Sequence, residues 1–193
     1  MSDINLKRNF QKFGRCIHTL AIFMILSFPF PFLIIGILVL MGKLLKNIKN
    51  IDLILNNKNL LEFYTKYKYS AVLRVIGLLF TTGSITAFIF ALRNPLFFNP
   101  WYILIILICS IMILFAGSVS EAKAWEELRC FFEENANLFP REVSNDSIDG
   151  CSKLRKGSLI YHLWFLVIPI LIGYGFQVKG FFKLSKLKDL MMF

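Results

Sequence analysis

Residues 16–41 read CIHTLAIFMILSFPFPFLIIGILVLM, an apolar block that carries no charge and is broken in the middle by Pro29 and Pro31. A straight helix of this length would cross a hydrocarbon layer of about 30 Å once. Proline removes a backbone donor and disfavours the α conformation just before it, so it ends or kinks a helix. The block is therefore either one kinked span or a tight helical hairpin turning at its prolines. Three further blocks follow, at 71–92, 101–118 and 157–178, and the last is interrupted by Pro169.

Charge separates the two readings. Four single spans would distribute the 22 Lys and Arg residues over both sides, against the positive-inside bias. If the first and last blocks fold back on themselves, the N-terminal tail, residues 43–70, residues 121–156 and the C-terminal tail share one side. Arg93 is then the one basic residue opposite. The expected fold is an all-α integral membrane protein, a polytopic bundle of six short membrane helices in three hairpins with proline-bearing outer turns. Four spans with proline kinks is the alternative. Residues 1–193 form a single helical membrane domain with cytosolic loops at 43–70 and 121–156. Both termini are expected in the cytosol of a multi-pass, prokaryotic cytoplasmic (plasma) membrane protein.

The hairpin reading brings out a possible internal repeat. Aligned without gaps, Pro31 falls on Pro169 and Gly42 on Gly180, relating 31–74 to 169–189. The junctions 73–77 and 154–157 are also alike, each a Leu-Arg pair entering an apolar helix.

Composition agrees with lipid as the solvent. Hydrophobic residues make up 56% and charged residues only 18%, against roughly 45–50% and 25% in ordinary globular domains. The net charge of +10 sits in the flanks of the apolar blocks, where anionic lipid headgroups are the expected partners. No compact basic module with stacking aromatics supports nucleic-acid binding. The four cysteines lack C-x-x-C spacing, so reduced thiols are expected.

Boundary residues are read accordingly. Tyr64, Tyr67 and Tyr69, interleaved with Lys66 and Lys68, suggest an interfacial belt. The helix from Trp101 should run on through residues 121–139, with Trp125, Leu128 and Phe132 on one stripe and Pro140 as its stop. Asp146 or Ser147 is expected to cap a short helix. Small residues four apart, Gly77/Thr81 and Gly83/Ala87/Ala91, predict close helix packing.

All twelve carboxylates fall outside the apolar blocks, which argues against an ion-coupled carrier. Nucleophile elbows, phosphate-binding glycine loops and metalloprotease helices are missing, so no enzyme, cofactor or metal is expected. The intramembrane polar candidates are His18, His162, Gln177 and Lys179. The two histidines lie at matching depths, yet without a helper carboxylate each reads as a helix-packing group. Lys179, Lys183 and Lys186 form a basic face suited to a lipid surface. The expected function is a scaffold or accessory subunit, acting as a homo-oligomer or with a partner membrane protein. The alternative is a solute or lipid transporter or pore, which broken helices at matching positions would favour.

Overall fold

The computed structural model describes residues 2–27, 30, 34–93, 100–160 and 167–190. Among these residues the chain is all-helical, with six α-helices and no strand: α1 (Ser2–Ser27), α2 (Ile34–Leu55), α3 (Lys58–Arg93), α4 (Pro100–Glu134), α5 (Arg141–Ile160) and α6 (Val167–Leu184). Short 3-10 turns at Ala136–Leu138 and Ser185–Asp189 follow α4 and α6. Consecutive helices pair as three antiparallel hairpins, α1/α2, α3/α4 and α5/α6, all pointing the same way.

The connections at the base of the hairpins are short because polar side chains close them. Only Asn56 and Asn57 separate α2 from α3. Asn56 takes a left-handed φ of 45°, a conformation asparagine tolerates better than most residues. The Asn57 carboxamide oxygen accepts from the amides of Asn59 (2.9 Å) and Leu60 (3.4 Å), capping α3. The expected loop at 43–70 is therefore almost entirely helix.

Two of the six helices are not short. α3 has 36 residues and α4 has 35, about 54 and 52 Å of helix. Both are long and apolar enough to cross a membrane. Only 17% and 22% of their most apolar windows is buried, whereas a core helix of a soluble domain hides most of that surface.

Burial divides the molecule into two tiers. Near the base, Phe63, Tyr67, Trp125, Phe131, Phe132, Leu128, Ile17, Leu20, Ile48 and Leu154 form one buried core. Trp125 is its hub, with ring centroids 5.3 Å from Phe63, 5.3 Å from Tyr67 and 5.7 Å from Phe181, within the range of favourable aromatic pairs. Toward the hairpin tips the pattern inverts. Leu79, Phe80, Ile89, Phe90 and Leu92 of α3 and Trp101, Tyr102, Ile105, Met112 and Phe115 of α4 are exposed, as are Ile35 and Val39 of α2 and Leu171 of α6.

Close packing depends on small residues at defined points. On α5 and α6, a Cβ at Gly150 would lie 2.9 Å from the Gly180 carbonyl oxygen, and one at Gly180 would lie 2.8 Å from the Gly150 oxygen. Gly157 meets Gln177 and Gly173 in the same way one heptad on. On α3 the predicted small-residue contact is partly right. Gly77 packs on Leu114, the Thr81 hydroxyl donates to Ser110 Oγ at 3.0 Å, and Ser84 and Ala91 are buried. Gly83 faces open space instead.

Three readings change. Pro169 is the third residue of α6 and not an apex, because proline fits a first helical turn, where its missing N–H is not needed. α5 ends at Ile160 and α6 begins at Val167, ahead of Pro169. α5 starts at Arg141, immediately after Pro140, with Glu142 in its first turn and the Ser144 amide donating to the Pro140 oxygen at 3.0 Å. Asp146 and Ser147 are thus interior helical residues and do not cap. Tyr67 leaves the expected interfacial belt for the core, while Tyr69 stays exposed. The other two proline-bearing turns, around Pro29 and Pro31 and at 94–99, lie outside the described residues.

Candidate functional site

The sequence-derived candidates are not brought together. His18 is half-buried, its ring edge against Phe182 at 5.8 Å, with Nδ1 enclosed and without a hydrogen-bond partner. Gln177 is buried, its side chain pressed against Gly157 of α5. Lys179 is exposed on the outer face of α6. His162 lies outside the described residues. No group of three or more metal-ligating side chains forms among the described residues.

Reading carboxylates by apolar block missed the most unusual polar side chain. Glu121, one helical turn beyond the apolar stretch of α4, is the one buried charged residue among those described, 2% exposed. Its Oε2 pairs with the Arg74 guanidinium of α3, and its Oε1 accepts the Trp125 indole N–H at 3.2 Å. The Tyr67 ring packs on Trp125 with its hydroxyl enclosed and unpartnered. A buried carboxylate needs such partners to offset its lost hydration. Arg74 lies 19 residues before the end of α3 and Glu121 lies 21 residues after the start of α4, so pairing the two helices antiparallel on paper would have placed them opposite each other.

Further toward the base, Lys66 bridges Glu62 of its own helix (2.7 Å) and Glu127 of α4. A larger network ties α5 to the end of α6. Asp146 pairs with Lys183 (3.3 Å) and Lys186 (2.6 Å), and Asp149 pairs with Lys153 and Lys183. The hydrogen bond from Lys186 holds the Asp146 carboxyl below its ordinary range, and the one from Lys153 does the same for Asp149. Lys183 and Lys186 therefore serve an internal clamp as well as the basic face read from their spacing.

The α1/α2 hairpin is built differently. Lys12, Arg15, Cys16 and Thr19 of α1 face Leu40, Lys43, Lys46 and Asn47 of α2 across an open cleft of about 390 Å³. The positions 12, 15/16 and 19 repeat at helical spacing on one face, as do 40, 43 and 47 on the other. At its floor the Cys16 thiol donates to the Leu40 carbonyl at 3.4 Å. Four cations line this cleft with no acidic residue among its walls. Their clustering was visible only as scattered flanking charge until the two helices were paired. No family model, curated protein or solved structure matches this chain.

Proposed function

We propose that the protein is an integral component of a cytoplasmic membrane and acts there as a scaffold or accessory subunit. The two-tier burial pattern supports membrane residence. From Arg74 to Arg93 and from Trp101 to Glu121 the chain runs uncharged for about 28–30 Å of helix, a full hydrocarbon thickness. The outer hairpins are shorter: Arg15 to Ser27 and Val167 to Lys179 each give about 18 Å. In this reading α3/α4 crosses the bilayer, while α1/α2 and α5/α6 dip into one leaflet and return, leaving the base and both termini in the cytosol. Re-entrant segments need their backbone satisfied, which helical hairpins provide.

One observation carries the scaffold assignment. Leu53, Ile54 and Leu61, at the α2–α3 corner, are 74%, 37% and 55% exposed. Leu61 is thirteen residues from Arg74, about 20 Å below the start of the apolar tier, beyond the reach of lipid. An apolar corner in water favours a protein surface. Purification in mild detergent should return a stoichiometric complex, with a second copy or a partner membrane protein, that Leu53→Glu/Leu61→Glu dissolves while the melting temperature holds. A monodisperse monomer for the unaltered protein contradicts the scaffold assignment.

A further inference from the structure

We propose that the cleft between α1 and α2 is a binding site for the phosphate headgroup of an anionic phospholipid, whose acyl chains lie on the exposed apolar residues of α1 and α2 beside it. The inference rests on the membrane placement above and adds a ligand class and a site to it.

Charge is the first ground. Lys12, Arg15, Lys43 and Lys46 line one open cleft of about 390 Å³. Among the described residues none of the four forms a salt bridge, whereas the α5/α6 side balances Lys153, Lys183 and Lys186 with Asp146 and Asp149. All four are solvent-exposed, so water and salt screen their mutual repulsion, and an anion held between them would be attracted by all four. The donor set suits phosphate: a guanidinium for planar, paired hydrogen bonds and three ammonium groups as point charges. The Thr19 hydroxyl and Asn47 carboxamide complete the lining.

Position is the second ground, and it selects a lipid over a soluble anion. Leu40 closes the tipward wall of the cleft. Immediately beyond it, Ile22, Ile25 and Leu26 of α1 and Ile35, Leu38 and Val39 of α2 are exposed. A polar, cationic cavity adjoining an open apolar wall matches an amphiphile with a phosphate at one end and hydrocarbon at the other.

The test uses the full-length protein in a neutral detergent, titrated with dioleoyl-phosphatidylglycerol and followed by native mass spectrometry and thermal melting. Dioleoyl-phosphatidylcholine and inorganic phosphate are the comparison probes. The quadruple variant Lys12→Gln/Arg15→Gln/Lys43→Gln/Lys46→Gln should weaken phosphatidylglycerol binding by at least about tenfold. A charge-matched variant at the exposed residues Lys49, Lys68, Lys123 and Lys156 should weaken it by less than about twofold. Lys43→Gln/Lys46→Gln alone, which relieves repulsion, should melt no lower than the unaltered protein without lipid and gain less on adding it.

Equal losses in the two quadruple variants would overturn the site, since diffuse surface attraction would then account for binding. Equal stabilisation by phosphatidylcholine would overturn it as well. Inorganic phosphate stabilising as strongly as the lipid would replace the headgroup assignment with a free anion. Failure of the site with continued insertion into liposomes would leave the membrane placement standing, so the two claims are separable.

Discussion

Glu121 shows most clearly what a single residue contributes here. Its carboxylate is enclosed, paired with Arg74 and hydrogen-bonded by Trp125, so it locks the mouth of the long hairpin and anchors the hub of the core. Glu121→Gln keeps an acceptor for the indole but leaves the Arg74 charge without its partner, and should cost roughly 2–3 kcal/mol. The double variant Glu121→Leu/Arg74→Met should recover most of that loss, because paired apolar replacements leave no orphaned charge. Unfolding in detergent across the double-mutant cycle checks this; strictly additive losses would show that the two side chains do not act together. Glu121 was passed over and Tyr67 misplaced from sequence for one physical reason. Position along a chain fixes depth and helical face, but burial depends on which neighbour covers that face. The face of α3 holding Tyr67 is covered by Trp125, far away in sequence.

At the scale of elements, six helices in consecutive pairs were legible from the apolar blocks and the charges between them, whereas the one proline apex within the described residues, Pro169, was not a turn. Proline removes a donor wherever it falls, and basic residues resist transfer into an apolar layer, so both leave marks in the sequence. Boundaries were less legible. Pro169 was read as a turn and is the first turn of α6, since the same fixed φ serves either role. Asp146 was read as a cap and is instead a clamp between α5 and the end of α6. That clamp predicts a pH dependence. The folded Asp146 and Asp149 carboxyls titrate below the ordinary aspartate value of 3.8. Their contribution is therefore fully present above that value and is lost as pH falls through the lower folded values. The melting temperature should decline on acidification below about pH 4. Asp146→Asn/Asp149→Asn should melt lower at neutral pH and show a shallower acid decline. Identical acid profiles for the variant and the unaltered protein would remove the clamp from the account.

Across the whole molecule, sequence indicated where charge lies, and the structure adds where apolar surface lies. A buried aromatic core at the base and an exposed apolar tier at the tips are built from the same residue types, so composition alone does not distinguish them. Nor did the apolar blocks reveal that, among the described residues, only α3 and α4 are both long and apolar enough to cross a membrane, because the blocks at 16–41 and 157–178 have enough residues for one crossing and divide them between two helices. The candidate site was partly legible: the cations of the α1/α2 cleft were seen as flanking charge, but their convergence required the helix pairing. The central claim is that all three hairpins open toward the same side. Single cysteines at Asn56, Glu134 and Trp101, in a background with the four native cysteines replaced, can be labelled in intact cells with a membrane-impermeant maleimide. The account predicts that Asn56→Cys and Glu134→Cys are protected together with both termini, and that Trp101→Cys is labelled from outside. Labelling of Asn56→Cys from the side opposite the N-terminus would contradict it.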